Sequence, residues 1–317
     1  MRILLIGDIV GKPGRQIVLR AVPGLRMAER LDLVVANAEN AAGGSGLTPA
    51  VYQELVGGGI DCITMGDHIY RRREIYSVLE AEDRIVRPAN YPDEAPGRPY
   101  TIVRARSAPA TSQNERGEPT GTSARDPLPP PGPPPLGTPV AVLNLLGRIF
   151  MPPVDCPLKA ADQVLAQLPA EVKVILVDYH AEATSDKQIL GRYLDGRVSA
   201  VLGTHTHVAT ADEQILPGGT AFQCDVGMTG PHWSIIGRRI DRVLHTARTF
   251  QPTHFEVAHG DCRLHGTIVE VDATTGRARA IRRLVVDEAE ADRLAALAGR
   301  AKVLAATDDA DAEPPAP

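Results

Sequence analysis

The stretch MRILLIGDIVGKPGR, residues 1–15, joins an apolar run to a glycine-rich turn and admits two readings. One is a phosphate-cradling P-loop, which needs four residues between its glycines, followed by Lys and then Ser or Thr. Here Gly7 and Gly11 enclose only three residues, and Lys12 runs into Pro13, which has no N–H to donate. That loop is out of register for phosphate. The second reading places the chemistry on Asp8, a carboxylate delivered at the end of a buried strand.

Working outward, the same kind of apolar, β-branched run recurs: RILLIG (2–7), LDLVVANA (31–38), DCITMG (61–66), PVAVLNLLG (139–147), VKVILVDYH (172–180) and VSAVLGTH (198–205). Helical patterns fall between them, over 14–30, 48–58, 71–80 and 158–168. Continuous apolar strands joined by helices predict an α/β protein whose sheet is covered on its faces. FEVAHG (255–260), RLHGTIVEVD (263–272) and RARAIRRLVVD (277–287) read as later antiparallel strands, with a turn at 274–276. Residues 107–137 hold nine of the 27 prolines and almost no large apolar side chains. Such a segment cannot bury enough surface to offset its ordering entropy, so a disordered insertion between two strands is expected. The division is therefore a domain over 1–288 and a tail over 289–317, helical with Leu294, Leu297, Ala301 and Leu304 in step, then acidic.

The polar residues at the strand ends form a pattern. After the successive runs come Asp8, then Glu39 and Asn40, then Asp67 and His68, then His180, then His205 and His207. Ligand sites of open α/β sheets lie beyond the carboxyl ends of strands. Carboxylates mixed with imidazoles suit Fe, Mn or Zn, and eight candidates exceed one tetrahedral site. A carboxylate such as Glu39 can bridge two ions about 3.5–4 Å apart, and one member of the set can serve as a proton donor. A lone histidine is more often structural, and an Asp after a strand is often a helix cap; the joint pattern reverses those odds.

GDIVGKPGR, NAENAAGGSGLT, ITMGDH, VRPANYP, DYHAEATSDK, VLGTHTHVATAD and DVGMTGP occur in that order, and together they resemble the YmdB-like family. That family is a branch of the calcineurin-like metallophosphoesterases, whose members are described as 2′,3′-cyclic-nucleotide 2′-phosphodiesterases. The resemblance runs to about Val286, broken only by the proline-rich insertion. It implies a sandwich of two facing mixed β-sheets flanked by helices, with a dinuclear metal site at the strand ends. One ion would be held by Asp8, Glu39, Asn40 and His207, the other by Glu39, Asp67, His180 and His205, and His68 would be the proton donor. Iron or manganese is the expected pair of ions, with zinc or magnesium as alternatives. Two departures stand out: Asp8 is followed by Ile9 and Val10 rather than by the superfamily's D-x-H histidine, and Gly66-Asp67-His68 stands where the family reads G-N-H.

Charge narrows the partners. The net charge of −5 resides in residues 287–317, with eight acids and three bases, so the remaining 31 acids and 31 bases balance. No global basic field steers nucleic acid. No stretch approaches the roughly 20 apolar residues of a membrane span, and the four cysteines show no C-x-x-C spacing. A cytoplasmic homo-oligomer acting on a small cyclic nucleotide, with no membrane partner, is expected. Enzymatic action on RNA ends or phosphoproteins, and a weakly active nucleotide-sensing protein, are the rivals. Arg148, Thr206, Asp225 and Thr229 are lesser candidates for phosphate contact or ligand support; Asp178 and Glu182 read as loop caps.

Overall fold

Side-chain alternation along each apolar run sends neighbouring residues into different layers. The computed structural model describes residues 1–105 and 137–310, with side chains through residue 300. The proline-rich segment up to residue 136, Leu304's side chain and the acidic end from residue 311 lie outside the described residues. The first half runs β1 (Arg2–Ile6), α1 (Gly11–Ala28), β2 (Leu33–Asn37), α2 (Pro49–Gly57), β3 (Cys62–Thr64), α3 (Tyr76–Ala81), β4 (Ile85–Val86) and β5 (Tyr100–Arg104). Next come β6 (Pro139–Leu146), α4 (Pro157–Gln167), β7 (Val174–His180), α5 (Thr184–Tyr193), β8 (Ala200–Thr204), β9 (Gln214–Ile215), β10 (Ala221–Gln223) and β11 (Gly230–Pro231). The chain continues as α6 (Ile240–Thr249), β12 (Cys262–Val271), β13 (Ala278–Val286) and α7 (Glu288–Ala310).

Among the described residues these strands make two mixed sheets. One has the order β11-β12-β1-β2-β3-β4, with β13 on β12; the other has β5-β6-β7-β8-β10-β9. Strands β1 to β4 are parallel and β12 runs against β1, while β6, β7, β8 and β10 are parallel with antiparallel strands at both edges. The sheets face each other through Ile3, Leu5, Leu33 and Val35 on one side and Val140, Val142, Val174 and Leu176 on the other. The alternate residues Leu4, Ile6, Val34 and Ala36 pack outward on Ile17, Val18, Ala21 and Leu25 of α1. On the far face Leu143, Leu145 and Val177 pack on Ala160 and Val164 of α4 and Leu190 of α5. Each fully buried aliphatic side chain contributes about 1.5–3 kcal/mol, so these three layers fix the register of the strands.

The expected helices form within a few residues of their ranges; α2 is capped by Thr48, whose hydroxyl accepts from Val51 N. FEVAHG does not become a strand. Val257 makes an isolated bridge with Arg238, flanked by Ala258 N donating to Gly237 O and Arg239 N to Glu256 O. Helix α7 lies along α1, where Leu294 O leaves no room for a side chain at Gly24. Ala291, Leu294 and Ala298 are buried there, whereas Leu297 is 40 % exposed. No helix among the described residues is long and apolar enough to cross a membrane.

Candidate metal centre

Register places the strand ends side by side. Ile6 aligns with Ala36 across β1 and β2, and Asn37 with Thr64 across β2 and β3. Beyond the strands, Ile9 N donates to Asn37 O and Ala38 N to Thr64 O, so the pairing continues into the loops. Asp8, Glu39, Asn40, Asp67 and His68 therefore leave one sheet together. In the second sheet His180 aligns with Thr204, which brings the end of β7 beside His205 and His207.

All eight residues named from the sequence meet where the two sheets end. Ligand atoms of Glu39, Asp67, His180 and His205 all lie within 4.8 Å of one another. His180 Nε2 is 3.2 Å from Glu39 Oε1, 3.3 Å from Asp67 Oδ1 and 3.0 Å from His205 Nδ1, and His205 Nδ1 is 3.5 Å from Asp67 Oδ1. Bonds of roughly 2.0–2.2 Å to one ion would set its donors roughly 3.0–3.5 Å apart, which is this spacing. Next to them His207 Nε2 lies 3.7 Å from Asp8 Oδ1 and 3.4 Å from Asn40 Nδ2. Asp8 is fully buried, and its Oδ1 has no hydrogen-bond partner among the described residues. A buried carboxylate oxygen without a donor is costly unless a cation completes it.

The outer contacts orient the three imidazoles. Thr204 Oγ1 donates to Asp178 Oδ1 at 2.7 Å, so it accepts from His180 Nδ1 at 2.9 Å and leaves His180 Nε2 facing Glu39 and Asp67. His207 Nδ1 donates to Ile236 O at 3.1 Å, and His205 Nε2 faces Glu182 Oε2 at 3.2 Å. Each ring thus turns its other nitrogen toward the carboxylates, the arrangement that fixes histidine ligands in metal sites. Asn37 Nδ2 donates to the second oxygen of Asp178, whose carboxyl burial pushes up to about 6.

Negative charge dominates the centre. Burial opposes ionisation of Asp8, Glu39 and Asp67, yet contacts with His207, His180 and His68 carry all three below the usual carboxylate range. Burial also opposes charge on His180, but Glu39 with Asp67 and Asp8 holds it well above an ordinary imidazole. His205 is driven down by burial and by neighbouring His180. His68 Nδ1 lies 2.8 Å from Asn40 Oδ1, and contact with Glu39 raises its pKa.

Several supporting residues carry little sequence signal. Lys187 is 2 % exposed and pairs with buried Asp225 at 2.8 Å; Asp225 in turn accepts from Thr206 N and Oγ1, under the His205–His207 loop. Asp178 lies inside β7 as a buried hydrogen-bond partner rather than as a loop cap, and Thr229 N donates to Asp8 O. Arg148 is exposed, and its backbone N–H donates to Asp186. His232 and His265, which lack strand-end placement in the sequence, stack on each other 4.5 Å apart.

The profile of the family described as YmdB-like protein matches residues 4–114 and 135–284. The chain is 41 % identical over 288 residues to a 2′,3′-cyclic-nucleotide 2′-phosphodiesterase of Bacillus subtilis, a match covering 91 % of this chain and 98 % of that protein. A crystal structure of a hypothetical protein from Thermus thermophilus superposes with a TM-score of 0.77 at 39 % identity, covering 91 % of this chain and all of that one. A structure titled as a novel phosphatase from Mycoplasma pneumoniae gives 0.75 at 27 % identity, over 90 % of this chain and 93 % of that one. Motifs, sheet order and full-length similarity agree that the chain belongs to the YmdB-like family.

Proposed function

We propose that the protein is a metal-dependent phosphodiesterase that hydrolyses 2′,3′-cyclic nucleotides to 3′-phosphates. The observation that supports it most is the packing of Glu39, Asp67, His180 and His205 at ligand spacing beside the donorless oxygen of Asp8. The substrate follows from the name of the Bacillus subtilis relative. Glu39, Asp67, His180 and His205 would hold one ion, and Asp8, Glu39, Asn40 and His207 the other. Iron or manganese suits this mixture of oxygen and nitrogen donors. Ions so held would supply Lewis acidity and neutralise charge at the phosphate. The catalytic unit in this reading is residues 1–288, with 289–317 as an appended tail.

The side chains divide the remaining work. His68 donates from Nδ1 to the side-chain oxygen Oδ1 of Asn40, so the second proton of its imidazolium sits on Nε2. The carboxylate of Glu39, 3.3 Å from Nδ1, favours that charged form. As water adds to phosphorus and gives up one proton to solvent, the O2′–P bond breaks, the Nε2 proton passes to the ribose 2′-oxygen, the phosphate stays on O3′, and the imidazole takes a proton back from solvent. Asn40 thus orients the acid.

Hydrolysis of 2′,3′-cyclic AMP with manganese added tests the reading. Wild type is expected to yield adenosine 3′-phosphate, and Asp8→Ala to lose at least about a hundredfold in kcat. Asp67→Asn separates metal affinity from turnover when manganese binding is followed by calorimetry in parallel. Wild type that binds manganese and leaves the substrate intact overturns the proposal.

A further inference from the structure

A cleft of about 580 Å³ opens between the Ala89–Glu94 segment and the start of α4. Tyr91, Asp93, Glu94, Arg148, Asp155 and Lys159 are among the residues that line it. Its walls are anchored to the strands that carry the centre. Asn90 accepts from Leu146 N and donates to Leu146 O, and Leu146 is in register with His180. Gly147 N donates to His180 O at 2.9 Å, so Arg148 emerges two residues beyond the end of the histidine-bearing strand pair. On the other wall the Tyr91 ring packs edge-on against Tyr70, 5.7 Å away and two residues after His68. The Tyr91 hydroxyl also feels the charges of Asp67 and Glu39.

We infer that this cleft seats the nucleoside half of the substrate while the metal centre takes the phosphate. The inference rests on the phosphodiesterase reading of that centre and adds a recognition site to it. Neither the guanidinium of Arg148 nor the ammonium of Lys159 makes a hydrogen bond or ion pair among the described residues. The carboxylates of Asp93 and Glu94 and the hydroxyl of Tyr91 have no such partner either. These unengaged donors and acceptors, two acids, two bases and a hydroxyl, match the edge of a nucleobase and the hydroxyls of a ribose. A second phosphate would instead need a surplus of cations. The half-buried Tyr91 ring adds an aromatic surface to one wall, and base–aromatic contact is tolerant of base identity.

Binding is measured by calorimetry with manganese present, using adenosine 3′-phosphate and inorganic phosphate as separate probes. Wild type is expected to bind the nucleotide at least about tenfold more tightly than phosphate, from one or two charge-assisted contacts. Arg148→Ala with Lys159→Ala, both at exposed positions, should remove most of that preference, and Tyr91→Phe should reduce it with the ring packing kept. Equal affinity for the two probes in wild type, or a preference unchanged in the double variant, overturns the cleft. So does adenosine 3′,5′-bisphosphate binding far more tightly than the 3′-phosphate, which would mark a polynucleotide phosphate site. Failure of the phosphodiesterase reading shows separately, as absent turnover of 2′,3′-cyclic AMP by wild type.

Discussion

At the scale of single residues, Gly66 shows how little space the centre leaves. A methyl group at this position would run into Glu39 Oε2 and the imidazole of His180, two of the closest-set donors. Neither can give way without leaving the spacing that an ion requires. Gly66→Ala should therefore abolish tight manganese binding in a calorimetric titration, with overpacking destabilising the fold by about 1–3 kcal/mol. Gly57 is the control: a Cβ there meets nothing within 4 Å, and Ala in that helix should leave the titration unchanged and raise stability by about 0.5–1 kcal/mol. Loss of binding in both variants, or in neither, would show that close approach at Gly66 is not what sets the site.

The loop between β8 and β9 presents two histidines. His205 and His207 both take left-handed backbone angles, φ 97° and 65°, which cost about 1–3 kcal/mol each outside glycine. What holds the loop is Asp225, bonded to Thr206 twice, to Gly227 N, and to Lys187 Nζ on α5. Removing one partner of a buried ion pair costs about 3–5 kcal/mol. Lys187→Met should lower unfolding free energy in urea by that amount, and adding Asp225→Asn should restore part of it by removing the stranded charge. A Lys187→Met protein as stable as wild type would show that the pair does not hold the loop. The carboxylates and histidines of the centre were legible because each follows an apolar run. Lys187 was not, because its burial depends on a partner 38 residues away that no local pattern announces. Helix α6 carries Ile240, Val243, Leu244 and Ala247 at helical spacing, yet none of its residues is buried, so this apolar stripe meets no core.

For the whole molecule, the sheets themselves were readable from six apolar runs, while their order depends on contacts that close late in the chain. One of these carries a pH signature on side chains outside the candidate ligand set. His265 on β12 stacks against His232, and both of its ring nitrogens are buried without a hydrogen-bond partner. Burial, with the neighbouring His232 and Arg263, depresses its pKa to about 4. The unfolded chain, with an ordinary value of 6.5, binds the proton first as pH falls. Stability from this site is thus complete above pH 6.5 and is lost progressively down to about pH 4. Urea midpoints measured across that interval should fall for wild type and fall less steeply for His265→Leu. Equal slopes would place the acid sensitivity elsewhere.

The position of β1 has a temporal meaning as well. It lies between β2 and β12, and Ile6 meets its antiparallel partner Gly266 some 260 residues later. At the roughly 5–20 residues per second of synthesis, the nascent chain carries β1 with one unpaired edge for some tens of seconds. During that interval the edge is a docking line for any passing strand. The ribosome thus delivers Asp8 well before the strand that covers the open edge of β1, and β12 on arrival exposes an edge of its own that β13 then covers.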